Sequence, residues 1–120
     1  MARILIVEDD LAQATLIEMS LKNLNHEIFI ASDAIQGIEL AREIMPDLIY
    51  MDLSLPFMNG LEAIEYIRRD SQLYDIPVFL IIASRQVEIV HLAETVGANM
   101  YISKPFDVKH LRQETTRVLS

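Results

Sequence analysis

The chain has 120 residues, 52% hydrophobic and 23% charged, which supports one packed core and argues against disorder. Ten Lys and Arg against 18 Asp and Glu give a net charge of −8, so the composition lacks the basic face a nucleic-acid backbone requires and suits a cation or a basic partner surface. With no cysteine, no signal-peptide pattern and no apolar run near the roughly 18 residues of a membrane span, the expectation is a cytoplasmic protein that uses neither disulfides nor thiolates.

Ile4 to Val7 is a short β-rich run that stops at Glu8-Asp9-Asp10. Ala14, Ile17, Leu21 and Leu24 then recur at helical spacing. A polar break over 23–26 precedes a second strand, Glu27 to Ala31. Asp33 with Gln36 three residues on resembles a capping box, and Ala34, Ile38, Ala41 and Met45 mark the buried stripe of a second helix. Pro46 ends that helix, because the residue before a proline is disfavoured in the helical region. The third strand, Asp47 to Met51, delivers Asp52 to a point where Pro56 and Asn59-Gly60 impose turns.

Asn59 and Glu62 predict another capped helix, with Leu61, Ile64 and Ile67 on its inner face. After a polar loop over 70–75, Ile76 to Ala83 is nearly continuous apolar sequence, as in a strand covered on both faces. A weakly patterned helix over about Gln86 to Val96 ends at Gly97. Met100 to Ser103 is a fifth strand, ending at Lys104-Pro105, and Asp107 caps a last helix with Val108, Leu111, Thr115 and Val118 turned inward. Five strands alternating with five helices through short loops predict a doubly wound parallel α/β sheet with right-handed crossovers, read as a single domain over 1–120.

Three strand exits carry charge: Glu8-Asp9 after the first, Asp52 after the third and Lys104 after the fifth. In an open parallel sheet these carboxyl ends share one rim, where ligands bind. Carboxylates crowded there repel one another, and a hard cation that keeps waters, best Mg²⁺, would offset them. The acids could instead simply cap helices while Lys104 makes an ordinary salt bridge. That account suits each residue alone and suits three consecutive strand ends poorly.

From Ile4-Leu5-Ile6-Val7-Glu8-Asp9 through Met51-Asp52-Leu53-Ser54-Leu55-Pro56 and Asn59-Gly60 to Lys104-Pro105-Phe106, the chain resembles the receiver domains of bacterial two-component response regulators. The spacings agree as well, with 43 residues from Asp9 to Asp52 and 52 from Asp52 to Lys104. The resemblance implies a flavodoxin-like (βα)5 fold with strand order 2-1-3-4-5, and with the chain read as a single domain over 1–120 no output domain is expected. It implies that Asp52 accepts a phosphoryl group from a histidine kinase or phosphotransfer protein. It implies that Glu8, Asp9, Asp52 and the backbone carbonyl of Ser54 hold Mg²⁺, that Lys104 contacts the phosphoryl group, and that the Lys104–Pro105 peptide is cis. The downstream protein partner is expected on the face of helix 4, strand 5 and helix 5, with neither nucleic acid nor membrane bound directly.

The sequence departs from the family at Ile82, 30 residues after Asp52, where receivers carry Thr or Ser. Isoleucine has no hydroxyl to donate to a phosphoryl oxygen. Ser84 reaches the site only if the strand end slips or bulges. Tyr101 stands where the family has the aromatic that swings inward with that hydroxyl. The departure raises a second hypothesis, a pseudo-receiver that binds partners without phosphorylation. A hydrolase with Asp52 as turnover nucleophile would need a carboxylate where Ser54 stands. A flavin module would need a Ser/Thr/Gly-rich loop after strand 1. His26, His91 and His110 pair with no acid at catalytic or ligand spacing and are expected in surface or partner contacts.

Overall fold

The computed structural model describes residues 1–83 and 86–120. Its elements run β1 Arg3–Val7, α1 Leu11–Ser20, β2 Glu27–Ala31, α2 Ala34–Ile44, β3 Leu48–Asp52, α3 Gly60–Arg69, β4 Val78–Ile82, α4 Val87–Val96, β5 Met100–Ser103 and α5 Val108–Leu119. The five strands are parallel in the order β2-β1-β3-β4-β5. The expected doubly wound sheet and its strand order are therefore found. The Lys104–Pro105 peptide is cis.

Alternation along the strands sends successive side chains to opposite faces, and both are covered. Ile4, Ile6, Leu48, Tyr50, Phe79 and Ile81 pack with Ala14, Ile17, Leu21 and Leu111 on the side of α1 and α5. Leu5, Val7, Ile49, Met51, Leu80 and Ile82 pack with Ile38, Ala63, Ile64, Ile67 and Ala93 on the side of α2, α3 and α4. A polar pair is sealed into the first layer: the hydroxyls of Tyr50 and Thr115 hydrogen-bond each other, and Tyr50 meets Phe79 edge to face. Burial drives the Tyr50 phenol well above its ordinary pKa, with the Thr115 bond only partly opposing this. Tyr50→Phe strands the Thr115 hydroxyl and should cost about 1–2 kcal/mol in denaturant unfolding. The double variant with Thr115→Val should cost less than the single, because both polar groups then leave together.

Several local expectations are corrected. Met45 does not join the buried stripe of α2. It is the C-cap, at a left-handed φ of 46°, and is 47% exposed because the chain has already turned out of the helix. Val108 is exposed rather than inward: it lies on the Leu111 and Thr115 face of α5 but is that helix's first residue. Leu61 is only half-buried, and Ala63 joins Ile64 and Ile67 inside α3. The box on α2 is half made: Asp33 accepts from the Gln36 amide, while Gln36 Oε1 turns to the amide and hydroxyl of Ser32. The box on α3 is complete, with Asn59 and Glu62 exchanging both bonds. β4 begins at Val78, two residues later than the apolar run. His26 is used within the chain, its Nδ1 accepting from the Ala2 amide at 3.1 Å.

Candidate functional site

Register assembles the site. Val7 pairs with Met51 and Val7 with Ala31, so Glu8, one step on, leaves β1 level with Asp52 at the end of β3. Asp52 pairs with Ile81, Ile82 pairs with Ser103, and the Lys104 amide donates to the Ile82 carbonyl at 2.9 Å. Adjacent parallel strands thus bring residues from three separated stretches to one rim. The three acids after β1 divide their work. Asp10 caps α1, accepting from the Ala12 and Gln13 amides, while Glu8 and Asp9 remain with the pocket.

Carboxylate oxygens of Glu8, Asp9 and Asp52 all lie within 4.8 Å of one another. Glu8 and Asp52 are almost fully buried, and Asp9 is exposed. Lys104 Nζ reaches in from β5, 3.3 Å from Glu8 Oε1 and 3.5 Å from Asp52 Oδ1. Burial pushes the Glu8 carboxyl up from its ordinary 4.5 to about 7, helped by its hydrogen bond with Asp52 and opposed by the Asp10 amide. Burial alone would lower the Lys104 pKa, but the charges of Asp52 and Glu8 outweigh it and raise it. A lysine held charged beside carboxylates short of compensation is what an anion-accepting pocket requires.

The Glu8 shift predicts how stability varies with pH in metal-free protein. Glu8 binds its proton more tightly folded than unfolded, so its stabilising contribution is complete below about pH 4.5 and is lost as pH rises through about 7. Asp70 and Glu114, held low by Arg42 and Arg117, titrate below that window and leave it clear. Urea unfolding of metal-free protein should lose on the order of 2–3 kcal/mol between pH 5 and pH 8. Glu8→Gln should flatten the slope.

The segment after Asp52 folds back beneath the pocket. The Leu53 carbonyl accepts from both the Leu55 and Gly60 amides, whereas among the described residues no donor bonds the carbonyl of Ser54. A methyl group on Gly60 would sit 2.4 Å from the Asp52 carbonyl oxygen, so only glycine permits this approach. In the sequence Asn59-Gly60 reads as a turn, and the contact with Asp52 is not visible there. Phe57 likewise carries no signal in the sequence. The Met58 amide donates to the Pro56 carbonyl at 2.8 Å around Phe57, whose φ is 71°. A three-residue turn with positive φ at its centre is rare and costs a non-glycine residue on the order of 1–3 kcal/mol.

Ile82, the last residue of β4, is fully buried in the layer beneath α4, and Tyr101 packs half-buried against the same layer. Ile82 gives the pocket no hydrogen-bond donor. Ser84, weighed as a substitute hydroxyl, lies outside the described residues.

The site's order and spacing are matched by known proteins. The chain is 38% identical over 111 residues to the DNA-binding dual master transcriptional regulator RpaA of Synechocystis, covering 92% of this chain and 46% of RpaA. It thus spans about half the length of that relative. It is 31% identical to protein PilH of Pseudomonas aeruginosa over 120 residues, 100% of this chain and 99% of PilH. The receiver domain of the sensor histidine kinase PA1611 of Pseudomonas aeruginosa, solved with a magnesium ion coordinated in its active site cleft, superposes with a TM-score of 0.89. That match has 29% identity and covers 98% of this chain and 97% of the other. The family model of the response regulator receiver domain matches residues 4–116, and with it the strand order and the rim of acids and lysine have one explanation: the chain belongs to the response regulator receiver domain family.

Proposed function

We propose that Asp52 is the phosphoacceptor of this receiver, taking a phosphoryl group from a histidine kinase or phosphotransfer protein with help from Mg²⁺. The observation that carries this is the cluster itself: three carboxylates within 4.8 Å of one another, with Lys104 Nζ 3.5 Å from Asp52. The donor set fits the ion. Glu8, Asp9, Asp52 and the open carbonyl of Ser54 are all hard oxygen ligands, too few to strip a cation of its waters, which is the coordination Mg²⁺ prefers. When bound, Mg²⁺ would supply positive charge that offsets the repulsion between the acceptor carboxylate and an incoming phosphoryl group.

The chain's own residues do the rest. An Asp52 carboxylate oxygen attacks phosphorus, and the P–N bond to the donor histidine breaks as the new P–O bond forms. The imidazole leaves with the electron pair and takes a proton from solvent. Lys104, already held toward Asp52, stabilises charge on the transferred group. No external substrate is turned over; the product is an acyl phosphate on the protein. The signal then passes by partner binding. A depression of about 520 Å³ between α4, β5 and α5, lined by Ala93, Tyr101, Ile102, Pro105 and His110 among others, supports that face for the downstream partner.

The test is intact mass after incubation with Mg²⁺ and acetyl phosphate, using Asp52→Asn as control. The expected result is one phosphoryl group on the unsubstituted protein and none on the variant. A second reading, a phosphorylation-independent pseudo-receiver, is favoured by one observation: fully buried Ile82 stands where a hydroxyl would serve the phosphoryl group. An unmodified protein that nonetheless binds Mg²⁺ would move the assignment to that reading.

A further inference from the structure

α1 is apolar on both of its long sides. Its buried stripe of Ala14, Ile17 and Leu21 packs against the sheet. At 3.6 residues per turn the opposite side carries Ala12, Thr15, Leu16 and Met19, the i, i+3, i+4, i+7 spacing of a second stripe. All four are exposed, Leu16 at 44% and Met19 at 65%. Charge ordinarily occupies such a face. Glu18 is the only charged residue among the ten of α1, against four among the ten of α3 and four among the twelve of α5. One exposed apolar residue is ordinary, whereas a stripe of them along a nearly uncharged helix marks a side that something covers.

Opposite charges stand at the two ends of this stripe. Before it, Asp9 and Asp10 are exposed, and Asp10 is the N-cap of α1. After it, Lys22 is exposed. The Arg112 guanidinium reaches the same end from α5, donating to the Ser20 carbonyl at 3.1 Å and to the Lys22 carbonyl at 2.7 Å. Neither cation forms an ion pair among the described residues.

We infer that the outer face of α1 seats a second copy of this chain, the two α1 helices running antiparallel about a twofold axis. The face is self-complementary in that arrangement: the apolar stripes meet at the centre, and the acidic end of each helix meets the basic end of the other. A parallel pairing would set acids against acids. Charge also selects this helix over the others. Two copies of net charge −8 repel each other, and α1 brings the fewest charges to a contact. A ten-residue helix is roughly 15 Å long, so the contact is small and the dimer weak. α1 packs on β1, whereas the depression between α4, β5 and α5 lies at the β5 edge of the sheet, so pairing leaves both copies of that depression open.

Sedimentation equilibrium of the full chain in about 50 mM salt, from about 10 μM to about 1 mM, tests this. A reversible monomer–dimer equilibrium is expected. Leu16→Gln with Met19→Gln keeps good helix formers on an exposed face, and should raise Kd about tenfold or more with an unchanged circular dichroism spectrum. Lys22→Glu should raise Kd about fivefold, and by less in about 500 mM salt. Val87→Gln, at the exposed start of α4, should leave Kd within about twofold. A monomer at every concentration would overturn the inference, as would a dimer indifferent to the Leu16 and Met19 pair. A dimer broken by Val87→Gln instead would place the second copy on α4. A dimer lost with the apolar pair but indifferent to Lys22→Glu would overturn the antiparallel arrangement. A monomer whose Leu16 and Met19 variant is labelled more slowly by a phosphorylated kinase or phosphotransfer domain would give the face to the phosphodonor and remove the second copy.

Discussion

Lys104→Ala should slow phosphorylation of Asp52 by acetyl phosphate about a hundredfold at saturating Mg²⁺, because it removes an oriented cation from a site where negative charge concentrates. Lys104 Nζ lies 3.5 Å from Asp52 Oδ1 and 3.3 Å from Glu8 Oε1, and both carboxylates are buried. A lysine serving only as a salt bridge would show its loss in stability and leave the rate alone. The two effects have different sizes. Breaking a buried ion pair costs 3–5 kcal/mol when the remaining charge has no escape. Here Glu8 has one, since its pKa already stands near 7 and removal of the lysine would raise it further, so it takes up a proton instead. The stability loss near neutral pH should therefore be about 1–2 kcal/mol by urea unfolding, while the rate loss is the larger signal. A rate within a few-fold of the unsubstituted protein would take Lys104 out of the transfer step.

The element order is legible in the sequence because the breakers are strong: Pro46, Pro56, Asn59-Gly60 and Gly97 separate segments whose apolar periods differ clearly. The rim site is legible for a related reason. In a parallel sheet every strand exit points the same way, so charge at the ends of β1, β3 and β5 must converge once strand order is known. What the sequence hides is set by register and by the ends of helices. Nothing in Glu8-Asp9-Asp10 says which acids enter the pocket; pairing of Val7 with Met51 sends Glu8 inward, and capping of α1 draws Asp10 away. Met45 and Val108 fit a helical stripe, but each sits at a helix terminus where the chain turns, and both end in solvent. Phe57 gives no signal at all, because an apolar residue beside Pro56 and Met58 looks like core until its backbone is seen at a φ of 71°.

Gly60→Ala should destabilise the protein by about 2 kcal/mol and impair Mg²⁺ binding together with phosphorylation, although alanine is the better helix former. Gly60 is the first residue of α3, and exchanging glycine for alanine in a helix ordinarily gains up to about 1 kcal/mol. Against that gain stands a collision. The added methyl would lie 2.4 Å from the Asp52 carbonyl oxygen, 2.9 Å from its carbon and 2.9 Å from Leu53 Cα. All three are backbone atoms, so no flexible side chain can yield, and overpacking of this kind typically costs 1–3 kcal/mol or somewhat more. Relief requires either α3 to withdraw, breaking the bond from the Gly60 amide to the Leu53 carbonyl, or the end of β3 to move. Movement of β3 displaces Asp52 and the Ser54 carbonyl together, which are two of the four proposed oxygen ligands. Thermal unfolding with and without Mg²⁺ measures both consequences: the variant should melt lower and gain less from the ion. A variant as stable as the parent, with an unchanged gain from Mg²⁺, would show that the approach of α3 to Asp52 does not hold the acceptor in place.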